Sequence, residues 1–224
     1  MAQHPRAQAT RQGILEAAAR VFDEMGYDAA TISDVVATAG CTRGALYFHF
    51  PSKEAVADAI IAEQGSWLAD VGEGTGSPVQ VIVDGSYAFA AGLREDVMLR
   101  ASIRLTVQTG TFDGRTAQAY RVWADAVHRL LRSARAQGHL RQGRGLGAVA
   151  ECLTASITGI QLTSEALTDR QDLEKRLYLF WRLVLPSVLT AEHLETLRLT
   201  PPRRVVRGPR VPPERVGTRP PRPG

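Results

Sequence analysis

The segment from residue 31 to residue 54 constrains the fold of this chain more than any other. Its sequence predicts two short helices joined by a tight turn, followed by the start of a third helix. Thr31 or Ser33 can cap the first helix by accepting a hydrogen bond from a free backbone N–H. Gly40 can end that helix in a left-handed conformation, and Thr42 then caps the next one. So short a glycine-containing turn indicates a helix-turn-helix unit, whose second helix enters the major groove of DNA.

The second helix of this unit carries side chains that suit DNA. Arg43 lies in its first turn and can donate to guanine O6 and N7 together. Gly44 has no side chain where the helix would approach a phosphate backbone. Tyr47, His49 and Lys53 suit phosphate oxygens. The alternative is an ordinary pair of helices in an all-helical protein, with the aromatic residues simply packing.

A longer match favours the DNA-binding interpretation. The run Thr-Arg-Gly-Ala-Leu-Tyr-Phe-His-Phe-Pro-Ser-Lys-Glu, residues 42–54, closely resembles the DNA-binding signature of the TetR family of bacterial transcriptional regulators. Residues 14–18, Phe22, Gly26-Tyr27 and Thr31-Ile32 also match the first helix and turn of that family. The resemblance covers roughly the first 55 residues.

This resemblance implies an all-α subunit of a homodimer. Residues 1–54 would form a three-helix, helix-turn-helix DNA-binding head, and residues 55–199 a helical body for ligand binding and dimerisation. The basic side chains of Arg6 and Arg11 also lie where the family motif would face DNA. The expected DNA contacts are Arg6, Arg11, Thr31, Ser33, Thr42, Arg43, Gly44, Tyr47, His49 and Lys53.

The net charge of +4 is weak evidence for DNA binding, because it comes from one end of the chain. Residues 200–224 hold seven arginines, eight prolines and one acidic residue, whereas the remainder of the chain is slightly acidic. A segment of this composition cannot bury apolar area, and we expect it to be a disordered tail. The tail is either a polybasic arm that touches DNA phosphates or a solvated segment without a role.

Other classes of protein are poorly supported by the sequence. The two cysteines, Cys41 and Cys152, lie far apart and do not suggest a disulfide framework. The N-terminus lacks a signal-peptide core, and the apolar segment 177–189 is too short to span a bilayer. The five histidines have no metal-ligand spacing, and no catalytic motif stands out. We expect a cytoplasmic protein that is not an enzyme, with no cofactor, metal or membrane partner.

The body is predicted to be helical throughout. Helices are expected at about 78–93, 96–109, 116–138, 146–167, 170–189 and 191–198, separated by glycine-rich loops. By family resemblance, the two long helices before the last short one pair with their dimer mates as a four-helix interface. Their apolar residues can serve the core, the partner surface or a ligand cavity, and the sequence leaves open which face does which.

A second resemblance restricts the predicted function to one subgroup of this family. The segment from Ile103 through Trp123, with Cys152-Leu153 and Gly159 at matching spacing, looks like the γ-butyrolactone-type autoregulator receptors, a TetR subgroup. In that subgroup a tryptophan at this point lines the signal pocket. Gln64 also matches a subgroup glutamine; it lies on the core-facing side of its helix, where a buried amide needs a partner. Further pocket candidates are Tyr87, Gln108 and Thr163.

The sequence therefore predicts a repressor that a small signal of γ-butyrolactone, butenolide or furan type releases from double-stranded operator DNA. One dimer, or two dimers, would occupy an operator. The nearest alternative is a TetR-type sensor of drugs or antibiotics that regulates efflux or biosynthesis genes. A small helical enzyme and a nucleoid-type structural DNA binder are two alternatives from other classes.

Overall fold

A computed structural model of the chain describes residues 5–72, 76–107, 115–143 and 145–202. Within these ranges the chain is helical, apart from turns and one isolated β-bridge that joins Leu140 to Leu189. The prediction of an all-α fold is confirmed. In chain order the described helices are α1 (Pro5–Met25), α2 (Ile32–Ala39), α3 (Arg43–His49), α4 (Lys53–Gly72), α5 (Pro78–Glu95), α6 (Val97–Val107), α7 (Arg115–Ala136), α8 (Leu146–Thr168), α9 (Leu173–Val188) and α10 (Ala191–Thr196).

The boundaries of the helix-turn-helix unit follow from its caps. Thr31 Oγ1 accepts from the backbone N–H of Asp34, and the Asp34 carboxylate accepts from the backbone N–H of Thr31 at 2.8 Å. Gly40 ends α2 at φ 61°, a left-handed conformation that favours glycine. Thr42 Oγ1 then accepts from the N–H of Ala45 at 3.1 Å and starts α3. The two predicted N-caps and the glycine stop are confirmed.

Helix α1 begins earlier than the sequence suggested. We expected its start near Thr10, but it starts at Pro5. Proline fits the first turn of a helix, because its missing N–H would have no partner there. The hydroxyl of Thr10 donates to the carbonyl of Arg6 at 2.9 Å, one turn back, so Thr10 lies inside the helix and does not cap it.

The head has its own apolar core. Buried residues of α1 to α4, among them Phe22, Val35, Leu46 and Ile60, pack in one cluster. Two residues of α6, Ala101 and Leu105, belong to the same cluster. Helix α4 begins directly after α3 and continues out of the head, so α4 and α6 both connect the head to the body.

A partly buried ion pair reinforces the contact of α6 with the head. The Nε of Arg100 donates to the carboxylate of Asp23, in the last turn of α1, at 2.9 Å. Arg104, one turn further along α6, donates to the backbone carbonyl of Asp23. Two arginines of α6 therefore hold the C-terminal end of α1.

The body packs around α5, α7, α8 and α9. Trp181 is fully buried at its centre and donates from Nε1 to Ser86 Oγ at 2.9 Å. The chain after α10 lies along α5, where the Tyr87 hydroxyl donates to the Leu199 carbonyl and Arg198 pairs with Asp84 at 2.7 Å. Residues 203–224, most of the expected tail, lie outside the described residues.

Helix α8 has an apolar outer surface. Among the described helices it alone is long and apolar enough to cross a membrane, with a mean hydropathy of 1.2 over 18 residues. The sequence analysis had considered a different apolar segment, residues 177–189, as a possible membrane span. In the fold α8 packs against α7 and α9, and 28% of that window is buried. A body helix with one exposed apolar face meets the same criteria, so we attribute the composition to that face.

Candidate DNA-binding surface and ligand cavity

Helix α3 presents its polar residues outward because its apolar residues anchor it to the head. Leu46 is fully buried and Phe50, just after the helix, is nearly so. Arg43 and Gly44, in the first turn, are exposed, and Tyr47 is 45% exposed. These three residues, which the sequence analysis assigned to the DNA contact, are therefore accessible from solvent.

Two flanking cations are oriented by aromatic rings of the head. The Nζ of Lys53 lies 4.2 Å from the centre of the Tyr27 ring, and the guanidinium carbon of Arg11 lies 4.9 Å from that of Phe50. Cation–π contacts of this kind restrict a long side chain without removing its charge from solvent. Arg6 is exposed in the first turns of α1.

The hydroxyl-bearing candidates differ in their roles. The hydroxyls of Thr31 and Thr42 accept the capping bonds of α2 and α3, whereas Ser33 is exposed. A Cβ added to Gly44 would meet no atom closer than the Thr42 hydroxyl at 4.0 Å. The protein itself therefore does not require glycine at position 44, which is consistent with close approach of another molecule.

The sequence analysis missed an exposed aromatic residue on α3. Phe48 is 81% exposed and packs edge-on against the ring of His49, with 5.1 Å between ring centres. Large apolar side chains are rarely so exposed without a contact partner. The pattern of α3 contained the signal, since Phe48 is two residues after the buried Leu46 and falls on the opposite side of the helix.

A cavity of about 410 Å³ lies between α4 and α7. It is open to solvent, since Ala62, Gln118 and Val122 of its lining are exposed. Two residues that the sequence analysis placed in the signal pocket, Gln64 and Trp123, both line it. The complete described lining is Asp58, Ile61, Ala62, Gln64, Gln118, Ala119, Val122 and Trp123.

Gln64 contributes a buried amide to the lining of this cavity. Its Nε2 donates to Thr106 Oγ1 at 2.8 Å, while its Oε1 has no hydrogen-bond partner among the described residues. The orientation of the amide follows from the neighbouring bonds. Because Thr106 Oγ1 already donates to the Ser102 carbonyl at 2.8 Å, it can only accept from Gln64. The free Oε1 therefore calls for a donor.

Trp123 supplies the aromatic wall of the cavity. It is half-buried and makes edge-on contacts with Phe89 and Tyr120, at 5.7 and 5.8 Å between ring centres. Trp181, by contrast, is fully buried with its N–H satisfied inside the body. The two tryptophans thus occupy different environments, one at a cavity and one in the core.

Two of the three remaining pocket candidates, Tyr87 and Thr163, are not in the described lining of this cavity. Tyr87 is buried under Leu199, and burial, with a smaller effect from Glu174, raises the pKa of its hydroxyl to about 12. Thr163 is exposed on α8 and donates to the Gly159 carbonyl at 2.8 Å. Gln108 lies outside the described residues.

The histidines of the described part of the chain do not belong to a metal-binding group. Within residues 6–64, 76–107, 117–143 and 145–202, no three histidine, cysteine, aspartate or glutamate side chains are grouped so that they can hold a metal ion. In the same ranges, His139 and His193 stack on each other with 3.6 Å between ring centres. Burial, then the neighbouring imidazole of His139, lowers the pKa of His193.

Comparisons with known proteins agree with this geometry. Residues 14–60 match the family described as bacterial regulatory proteins, TetR family. The chain is 43% identical over 188 residues to the A-factor receptor protein of Streptomyces griseus, covering 84% of this chain and 67% of that protein.

Solved structures extend the likeness to the body. The crystal structure of full-length TylP, a TetR regulator from Streptomyces fradiae, is 36% identical with a TM-score of 0.75 and covers 85% of this chain and 92% of TylP. A crystal structure of a γ-butyrolactone receptor, described as ArpA-like, is 27% identical with a TM-score of 0.67 and covers 86% of this chain and 94% of that one.

These relatives are regulators and not enzymes, and they match both the head and the body of this chain. The chain accordingly combines a DNA-binding head with a body that responds to a ligand. It belongs to the TetR family of transcriptional regulators, as a ligand-responsive, DNA-binding repressor.

Proposed function

We propose that the protein is a homodimeric cytoplasmic repressor that a γ-butyrolactone-type signal, or a related butenolide or furan, releases from its operator. The observation that carries this proposal is the meeting of Gln64 and Trp123 at one cavity. The sequence resemblance assigns both residues to a signal pocket, and the fold brings them together from separate helices, α4 and α7. The similarity to the A-factor receptor protein and to γ-butyrolactone receptors supports the class of signal.

The DNA contact would be made by the outward surface of α3 and the cations beside it. Two heads of a dimer would enter successive major grooves, about 34–36 Å apart. One dimer or two would occupy the operator. In this proposal Arg43 reads a base, and the other contacts hold the phosphate backbone through Arg6, Arg11, Thr31, Ser33, Thr42, Gly44, Tyr47, His49 and Lys53.

The signal contact would combine one apolar wall and one acceptor. The Trp123 ring suits the alkyl chain or small ring of an amphipathic molecule. The free Oε1 of Gln64 accepts a hydrogen bond, so it pairs with a hydroxyl of the signal rather than with a carbonyl. Tyr87, Thr163 and Gln108 stay secondary candidates, and a rearrangement on ligand binding would have to bring Tyr87 and Thr163 to the cavity.

Release of the operator would be transmitted through two helices, α4 and α6, that connect the cavity to the head. Lys53 and Gln64 both belong to α4, eleven residues or about 16 Å apart along the helix. Gln64 is also hydrogen-bonded to Thr106 of α6, and α6 holds α1 through Arg100. A signal that shifts Gln64 therefore acts on both connections at once. Coupling free energies of about 1–3 kcal/mol are typical, which corresponds to a weakening of operator binding by roughly 5- to 150-fold.

The proposal is tested by substituting the two tryptophans separately. An operator is first selected from genomic fragments, and release of the wild-type protein by synthetic γ-butyrolactones is followed by fluorescence anisotropy. Trp123→Ala should retain its melting temperature and operator affinity but lose release by the signal. Trp181→Ala is the matched control: as a core truncation it should cost about 3–5 kcal/mol of stability.

The outcomes separate the possible roles of Trp123. A folded Trp123→Ala protein that is still released at the wild-type signal concentration would exclude the residue from the pocket. A variant that melts as early as Trp181→Ala would assign Trp123 to the core. If no lactone, butenolide or furan releases the wild-type protein, the proposed class of signal is wrong.

A further inference from the structure

Helix α8 holds a fully buried amide that the sequence analysis did not identify. Gln161 is 1% exposed, and neither its Nε2 nor its Oε1 has a hydrogen-bond partner among the described residues. The hydroxyl of Thr154, two turns earlier on the same helix, is also buried without a partner in the described part of the chain. Buried side-chain amides are nearly always hydrogen-bonded, so a glutamine with both ends unpaired calls for an explanation.

A structural role does not provide that explanation. The neighbouring inward positions of α8 are filled by Leu153 and Ile157, which pack with the core of the body. A leucine at position 161 would fill a similar volume without the cost of leaving a donor and an acceptor dehydrated. The amide is unfavourable for the folded chain alone, which is the expected signature of a group that serves a bound molecule.

The pairing of α7 with α8 places Gln161 near the level of Trp123. The two helices follow each other in the chain and pack closely together, with α7 ending at Ala136 and α8 starting at Leu146. Gln161 lies about 22 Å along α8 from its start, and Trp123 lies about 20 Å back along α7 from its end. Gln161 and Trp123 therefore lie at similar distances from the turn that joins the two helices.

We propose that Gln161 is a second polar contact of the signal, and that its Nε2 donates to a carbonyl oxygen of the ligand. This inference rests on the proposed function. The ligand would then carry three features: an apolar part against Trp123, a hydroxyl for the Oε1 of Gln64, and a carbonyl for Gln161. A ring ester that bears a hydroxyl and an alkyl chain has all three.

The test removes the amide and the carbonyl separately and together. Two probes are used: a γ-butyrolactone with an alkyl chain and a hydroxymethyl group, and the matching tetrahydrofuran that lacks only the carbonyl. The wild-type protein should be released from its operator by the lactone at a concentration at least tenfold lower than by the ether. Gln161→Leu should need similar concentrations of both, while its operator affinity is unchanged and its melting temperature is unchanged or higher.

Controls keep the test decisive. Gln142→Leu, at an exposed position in the turn after α7, should retain the wild-type preference for the lactone. If Gln161→Leu does not fold, the more adaptable Gln161→Met is measured in its place. A substituted protein that still prefers the lactone as strongly as the wild type overturns the proposal, as does a marked fall in melting temperature in both variants. A wild-type protein that neither probe releases refutes the proposed function, and with it this inference.

Discussion

At the scale of single residues, buried side chains of α3 fix the helix in the head while neighbouring side chains stay exposed to solvent. Leu46 and Phe50 anchor α3 in the core of the head, whereas Arg43 and Tyr47 are exposed. Lys53, in contrast, rests on the ring of Tyr27. Arg43, in the first turn of α3, and Lys53, at the start of α4, should therefore differ in what they contribute to DNA binding.

Arg43→Ala should weaken operator binding by about 1–3 kcal/mol and relax the preference at one base position, because a bidentate contact with guanine is lost. Lys53→Ala should weaken binding to operator and random DNA alike, since it removes a phosphate contact. Titration of each variant against both DNAs measures the difference. Equal losses on both DNAs for Arg43→Ala would show that it does not read a base.

At the scale of secondary-structure elements, α6 has a role that its sequence did not reveal. It contributes Ala101 and Leu105 to the core of the head, and its Thr106 accepts from Gln64 at the cavity. Directly before Ala101, Arg100 pairs with Asp23 of α1. The side chains of that pair are each 21% exposed, so solvent screens the pair less than an ion pair at the surface.

Arg100→Gln and Asp23→Asn should each weaken operator binding by about 1 kcal/mol, because the head loses a fixed orientation relative to the body. The double variant should bind no worse than either single variant, since all three lack the same pair. The pair Arg94–Glu174, which is about half exposed, is the matched control, and Arg94→Gln should bind normally. Additive losses in the double variant would contradict a shared role.

At the scale of the whole molecule, the described part of the body exposes apolar side chains on α8 and α9. Four leucines of α8 and α9 are exposed to different degrees: Leu162 at 37%, Leu167 at 67%, Leu179 at 46% and Leu183 at 79%. A cluster of exposed apolar residues on two adjacent helices is typical of a protein–protein interface. It agrees with the four-helix dimer interface that the family resemblance implies.

Leu183→Arg should shift the protein from dimer to monomer while its helix content is retained, because the side chain is largely exposed in the single chain and desolvated in a dimer. Sedimentation and circular dichroism measure the two properties, and operator affinity should fall with loss of the dimer. Met25→Arg, at another exposed apolar residue, is the control and should stay dimeric. A Leu183→Arg protein that sediments as the wild type would place the interface elsewhere.

Local chemistry determined much of this protein from sequence alone. The caps at Thr31 and Thr42, the stop at Gly40 and the spacing of apolar residues depend on neighbours within one or two helical turns. These features predicted the helices of the body to within a few residues of their observed ends. The start of α1 was misplaced, because Pro5 was not considered as a first helical residue.

Tertiary packing decided which polar groups the folded chain leaves unpaired. The sequence predicted that Gln64 would be a buried amide in need of a partner. Which atom of that amide is left unpaired depends on its hydrogen bond with Thr106, more than forty residues away. Gln161 was missed because helical periodicity distinguishes the faces of a helix without telling which face a distant helix will cover. For the same reason, the sequence did not predict that α6 contributes residues to the core of the head. Burial is a property of the assembled helices, and a single chain pattern does not contain it.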